Sequence, residues 1–293
     1  MPCYRQERFV AAAVHSILAQ DCAPLDIVIA DDASPDGTAA AIDAALAGYT
    51  GPHRVRLLRE GRNRGIETLN LLADAAEGSL LVHAHGDDIA HPDRVARLVA
   101  TWQATGASMV TSNALLIDAE GREIGRQFEP DASYDLTAGS LCTLGWTPFQ
   151  LGATFACEPD IYRAFPPLSR DRSPVEDDWQ LPFRAALLKG IAVVREPLLR
   201  HRLHHGSATR LALGSGDSDD PALQEAHWCQ RCMQFVYMLE TAEWLSHRHG
   251  NPGALVPIRA RLGRSVVEAA TRWSGLRAAL RNAGRHPVWQ PMD

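Results

Sequence analysis

The stretch Leu80-Leu81-Val82-His83-Ala84-His85-Gly86-Asp87-Asp88-Ile89 decides how this chain is read. Its first five residues have the apolar bias of a short buried strand, bounded upstream by Glu77-Gly78. Two adjacent carboxylates, Asp87 and Asp88, follow at the strand's C-terminal end, and a helix opens at Pro92. In open α/β sheets that edge is where ligands bind, because the loops there diverge and leave a crevice. Adjacent carboxylates repel, so the pair suits a site that receives a hard cation such as Mg²⁺ or Mn²⁺ together with a phosphate-bearing substrate. The other reading is a turn in which the two acids cap the next helix.

Working outward, strands and helices alternate. Helix is predicted over Phe9 to Gln20, with Val10, Val14, Ile17 and Leu18 on one face. Asp26 to Ala30 reads as a strand that runs into the turn Asp31-Asp32-Ala33-Ser34-Pro35-Asp36-Gly37-Thr38 and a helix to about Leu46. Val55 to Leu58 is a strand and Ile66 to Ala76 a helix; after the anchor strand, Pro92 to Thr105 is a helix with Val95, Leu98, Val99 and Trp102 inward. Such spacing argues for an α/β fold with a parallel sheet of βαβ units. No GxGxxG and no Walker lysine loop follows these strands, so bound phosphate is expected on side chains and a metal.

Beyond residue 108 the pattern changes. Leu115 to Ile117 and Arg122 to Ile124 flank Asp118-Ala119-Glu120-Gly121 as a hairpin, residues 129–150 are irregular, and Gly152 to Cys157 reads as a short strand. A helix begins around Glu176-Asp177-Asp178, three acids where the helix dipole favours negative charge and more than capping needs. Residues 213–221 read as a linker, and 222–283 as helices with Trp228, Phe235, Leu239 and Trp244 in their core.

Composition fits a soluble globular protein: 46% hydrophobic, 22% charged, net charge −6. The negative balance speaks against nucleic acid as a partner. The longest apolar runs are too short for a membrane span, and charges at Arg5, Glu7 and Arg8 do not fit a secretory leader. Cys229 and Cys232 form a CxxC without a second pair, within predicted helix, which favours ordinary thiols in a reducing cytoplasmic setting.

Taken together and in order, these pieces resemble family 2 inverting glycosyltransferases of the GT-A fold, from Met1 to about Thr209. Pro2-Cys3-Tyr4 with Ser16-Ile17-Leu18-Ala19-Gln20 is similar to the family's opening "PxYN…SILxQ", and Ile29 to Thr38 to its "vDDgSxDxT". Asn63-Arg64-Gly65 resembles "NxG", His85-Gly86-Asp87-Asp88 stands in place of the "DxDD" metal motif, and Leu199 to Thr209 is similar to "YRxHxxSxT". The resemblance implies a GT-A domain over 1–212, with a nucleotide-sugar half (1–105) and an acceptor half (106–212), the linker, and a C-terminal helical region (222–293). It implies transfer of a sugar from a nucleoside-diphosphate donor, a UDP-sugar, to a glycan, lipid-linked or other hydroxyl. Peripheral association with the inner face of the cell membrane is compatible with that role.

Carried over residue by residue, Pro2, Tyr4, Asp32, Asn63, Asp88 and Arg202 bind the donor, and Asp32 accepts the uracil N–H. Asp87 and His204 hold Mg²⁺ or Mn²⁺, which neutralises the leaving diphosphate. His204 also reads as an ordinary surface or core histidine, and Arg202 as the partner of an acid. Counting back from Arg184 in the family's "EDWDLWLR" places the general base at Asp178 and its partner at Asp177. The chain departs from the family at His85, where the motif has an acid, and at Met1, which stands where the family's first strand is already ending. Either the true start lies upstream of Met1, which is the favoured reading, or the chain must tolerate a gap in its core beside that strand. A non-catalytic sugar-nucleotide-binding module is the rival reading, and release of the nucleoside diphosphate discriminates the two.

Overall fold

The computed structural model describes residues 1–22, 24–128, 136–142, 151–170, 177–204, 220–249 and 255–282. Glu176, His205, nearly all of the 213–221 linker and most of 129–150 lie outside the described residues. The elements in chain order are β1 (Pro2–Cys3), α1 (Val10–Leu18), β2 (Asp26–Asp31), α2 (Thr38–Leu46), β3 (Arg54–Arg59), α3 (Thr68–Ala75), β4 (Leu81–Val82), β5 (Ile89–Ala90), α4 (Arg94–Thr105) and β6 (Met109–Ile117). They continue with β7 (Glu123–Arg126), α5 (Ala138–Leu141), β8 (Ala156–Cys157), α6 (Asp160–Arg163), α7 (Asp177–Leu187), β9 (Ile191–Arg202), α8 (Pro221–His249) and α9 (Val256–Asn282). No described helix is long and apolar enough to cross a membrane.

β1, β2 and β3 form a parallel sheet in that order. A second, mixed sheet runs β4-β8-β6-β9-β5, with β7 on β6 and a long parallel pairing of β6 with β9. The expected hairpin is present, Ile117 pairing with Glu123. Val10, Val14 and Ile17 of α1 pack on Ile27 and Ile29 of β2, as their helical spacing requires.

Three readings are corrected. The anchor strand does not run from Leu80 to Ala84: only Leu81–Val82 pairs, antiparallel to β8, and both residues are half-buried. Its other flank faces not a neighbouring strand but a cavity of about 290 Å³, lined by Met1, Leu25 to Val28, Leu81 to Ala84 and Tyr162. β1 holds β2 only at Ala30 and Asp31, so Asp26 to Val28 border the cavity, and the Met1 ammonium donates to the Val28 carbonyl (2.7 Å). The core thus holds a cavity beside β1 and β2. Gly152–Thr154 is a 3-10 turn rather than strand, its short bonds closing Thr154 N–H on Leu151. Trp244 is not core: it is 45% exposed at the rim of α8, where its indole N–H reaches the Ala164 carbonyl (3.2 Å).

His83, on the cavity wall, is held neutral: burial brings its pKa down to about 3, and Tyr162 lies 3.1 Å from its Nε2. The unfolded chain takes up a proton near pH 6.5 and the native chain does not, so this contribution to stability is complete above pH 6.5 and is lost as pH falls toward 3. Thermal unfolding between pH 7 and 4 is expected to show the wild type losing up to about 1.4 kcal/mol per pH unit more than His83→Gln, which has no proton to gain. Parallel pH profiles for the two would refute this assignment.

Candidate functional site

The loops after β1, β2 and β4 meet at one edge. Arg5 (φ +54°) and Ala33 (φ +57°) both adopt the left-handed backbone that side chains disfavour, and the loops carrying them are laced together. Arg5 N–H donates to Ser34 Oγ (3.2 Å), and Gln6 N–H to Thr38 Oγ1 (2.8 Å), which Asp36 holds in turn. Pro2 lies within β1 and Tyr4 is exposed at its end. Asp32 is buried and its two oxygens accept the N–H groups of Arg64 and Gly65, each at 2.8 Å, which fixes the Asn63 loop. Its neighbour Asp31 is also buried, and Asp31 Oδ1 has no partner among the described residues.

The metal-motif loop presses against this edge at Gly86, where an added Cβ would lie 3.0 Å from Cys3 Sγ and closer still to Gln6. His85, Asp87 and Asp88 each offer a ligand atom within 4.8 Å of one another. The two acids do different work. Asp88 is buried, accepts Arg202 N–H (2.8 Å) and meets His201 Nδ1 (3.1 Å), so it pins the loop to β9. Asp88 in turn outweighs the burial that would lower His201, and the imidazole's pKa is raised. Asp87 Oδ2 faces His204 Nε2 at 3.1 Å. Burial tends to raise the Asp87 carboxyl, but the His204 hydrogen bond and the surrounding rings outweigh it and hold the group below the usual carboxylate value. Arg202 donates to the carbonyls of Asp87, Asp118 and Ala119 (3.0–3.1 Å) and lies over the Phe9 ring, which also flanks His204. It braces the loop through backbone carbonyls.

The acids of α7 approach from the other side, over Gly152. Gly152 N–H donates to Asp178 Oδ1, and a Cβ on Gly152 would sit 2.7 Å from that oxygen and closer to Asp177. Burial raises the Asp177 carboxyl, against the opposing influence of His85, and Asp177 Oδ2 has no partner among the described residues. Arg94 joins the two sides: fully buried, it donates to the carbonyls of His83 (2.7 Å) and Ala153 (2.6 Å).

The structure therefore brings Asp87 and His204 together and sets Asp177 with Asp178, while Asp32, Asp88 and Arg202 hold loops. Asp87 and His204 form a mixed oxygen and nitrogen donor pair that fits a divalent ion such as Mn²⁺, or Mg²⁺ with further oxygen ligands. Three residues escaped the sequence reading. His85 was judged only as a missing acid, although its type and spacing are those of a ligand. Asp31 lay inside a quoted motif, and Arg94 directly followed one.

Comparison with known proteins places this geometry. Residues 1–163, more than half the chain, match the model of glycosyl transferase family 2. The succinoglycan biosynthesis protein ExoO of Rhizobium meliloti is 32% identical over 41% of the chain, a match spanning 34% of that protein. The putative glycosyltransferase EpsE of Bacillus subtilis is 29% identical over 40% of the chain and 42% of its own length. The chain thus spans well under two thirds of either relative. Among solved structures, residues 1–349 of S. aureus TarS with UDP-GlcNAc superpose with a TM-score of 0.56 at 13% identity, over 100% of this chain and 93% of that one. The mannosyltransferase PcManGT of Pyrobaculum calidifontis, with GDP-Man and Mn²⁺, gives 0.58 at 18%, over 98% and 75%. The fold is GT-A-like, and the chain belongs to glycosyl transferase family 2.

Proposed function

We propose that the chain moves a sugar from a UDP-sugar to an acceptor hydroxyl with inversion, as a cytoplasmic, metal-assisted step in cell-surface polysaccharide or glycolipid assembly. The observation that carries this reading is the facing of two sites across Gly152 and His85: the Asp87–His204 donor pair and the Asp177–Asp178 carboxylates. A relative named for succinoglycan biosynthesis and fold neighbours holding nucleotide-sugars support the substrate class.

The nucleobase falls to the edge formed by Pro2, Tyr4 and the Asp31–Asp32 pair. Asp32 shapes the Asn63 loop, and Asp31 Oδ1 is the open acceptor for an imide N–H. A divalent ion held by Asp87 and His204 supplies Lewis-acid stabilisation of the diphosphate's growing charge. Asp178, oriented by the Gly152 N–H, takes the proton of the acceptor hydroxyl. The acceptor oxygen bonds to the anomeric carbon as the bond to the diphosphate oxygen breaks on the opposite face. The products are the inverted glycoside, the nucleoside diphosphate and a protonated Asp178.

Release of nucleoside diphosphate from a panel of UDP- and GDP-sugars, with Mn²⁺, Mg²⁺ or EDTA, tests the reading. Metal-dependent release from a UDP-sugar is expected; binding without release under every condition would establish the non-catalytic module instead. In calorimetry, Asp87→Ala is expected to abolish metal-dependent UDP binding with an unchanged circular dichroism spectrum, and retained binding would sink the metal assignment. Asp31→Asn is expected to weaken UDP binding on the order of tenfold, since a buried acceptor is replaced by a group able to donate, while Asp32→Asn chiefly lowers Tm. Asp178→Asn is expected to reduce turnover by about a hundredfold or more with donor affinity kept. Loss of that size in Asp177→Asn, with Asp178→Asn still active, would move the base one residue back.

A further inference from the structure

Resting on the reading of this edge as a divalent-metal diphosphate site, one ligand question is settled by what Asp88 does. An Asp-Asp pair suggests two carboxylate ligands, yet both Asp88 oxygens are already engaged by the Arg202 N–H and the His201 ring, at 2% exposure. Asp88 is therefore poorly placed to turn toward an ion. The remaining members of the cluster are His85 and Asp87; His204, outside that 4.8 Å group, contacts Asp87 from the end of β9. Gly86 lets the loop lie close to Cys3 and Gln6, where an added Cβ would clash, with His85 just before this point and Asp87 just after it. Neither of the neighbouring buried imidazoles competes for the role, since His201 is paired with Asp88 and His83 lies against Tyr162 on the cavity side.

We propose that His85 is a metal ligand, giving with Asp87 and His204 a set of two imidazoles and one carboxylate that selects Mn²⁺ over Mg²⁺. Mg²⁺ takes oxygen ligands at short, near-octahedral distances and gives up water reluctantly, whereas imidazole nitrogen is a good ligand for transition-metal ions. The change of one side chain from an acid to His85 makes the site less negative and softer at once. The rest of the ion's shell is left to donor oxygens and water.

The test uses the full chain with MnCl₂, alone and with saturating UDP, read by electron paramagnetic resonance for binding and by spin-echo modulation for coordinated ¹⁴N. Wild type is expected to show nitrogen coupling from two imidazoles. His85→Asp should lose one of them and release its Mn²⁺ at a Mg²⁺ concentration lower on the order of tenfold. His85→Gln, which keeps the bulk without the ring nitrogen, should lose the same coupling and serves where the aspartate variant fails to fold. Nitrogen coupling from one imidazole in wild type, or two in either His85 variant, would overturn the proposal while leaving the Asp87 site standing. Failure of the underlying reading looks different: Mn²⁺ bound equally by Asp87→Ala, or not bound by wild type with or without UDP.

Discussion

One buried cation sets the distance between the two halves of the site. Arg94 is 1% exposed, and its guanidinium bonds the carbonyl of His83, at the root of the metal-motif loop, and that of Ala153, in the turn that receives the α7 acids. Burial lowers its pKa to about 10, which still leaves it charged near neutrality. A buried charge of this kind is tolerated only where hydrogen bonds and nearby opposite charge compensate its lost hydration, here two carbonyls and the field of Asp88. The planar fork matters as much as the charge. It reaches two carbonyls from different elements in fixed directions, which a lysine ammonium on a flexible stem does not reproduce. The separation of Asp87 from Asp178 is thus set by a residue that touches neither.

The carboxyl end of the chain enters the site through a second buried arginine. Arg184, on α7, donates to the carbonyls of Ile161 and Pro166 and to the Tyr237 hydroxyl of α8. One turn earlier, Trp179 lies under the Arg231 guanidinium, and Phe183 joins Phe235, Met238 and Leu262 in one apolar cluster. The helix that opens with Asp177 and Asp178 is therefore clamped from both sides. The C-terminal helices act on the acids as a backing for α7.

Much of this was legible in the sequence, and the failures have a common cause. Helical periodicity placed α1 and α4 because each buries one apolar stripe against a sheet. Motif order named Asp87 and His204, which the structure brings into contact, and the acids of α7, which sit over Gly152. What periodicity cannot report is which polar side chain answers which. Asp87 and Asp88 are indistinguishable in a string of letters, yet one faces His204 and the other is consumed by the backbone of Arg202 and the ring of His201. Arg184 served only to count register, and Arg94 was given no role, because a buried arginine looks the same in sequence as a solvated one. The Leu80 to Ala84 strand was overread for a related reason. An apolar run records a buried environment, but pairing needs a strand alongside, and here a cavity lies there.

The charge balance of the site bears on its chemistry. Asp31, Asp32, Asp87, Asp177 and Asp178 all gather at this edge, and a nucleotide diphosphate would add further negative charge. Of the arginines close by, Arg94 is wholly buried on carbonyls and Arg202 donates to three more, while Arg5 and Arg8 line the pocket that includes His204. No helix N-terminus with a glycine-rich cradle follows β2 or β4 to receive phosphate on backbone N–H groups. At a partly buried site, two like charges about 4 Å apart repel by roughly 4 kcal/mol, so these carboxylates would oppose an approaching diphosphate. A divalent ion held at Asp87, as proposed, would ease that repulsion and turn the nearest acid from an obstacle into an anchor. The same argument explains why imidazoles at His204 and His85 are suitable partners there, since each adds a donor without adding negative charge. The surplus of carboxylates, which at first sight argues against an anionic substrate, is thus what the proposed cation would answer.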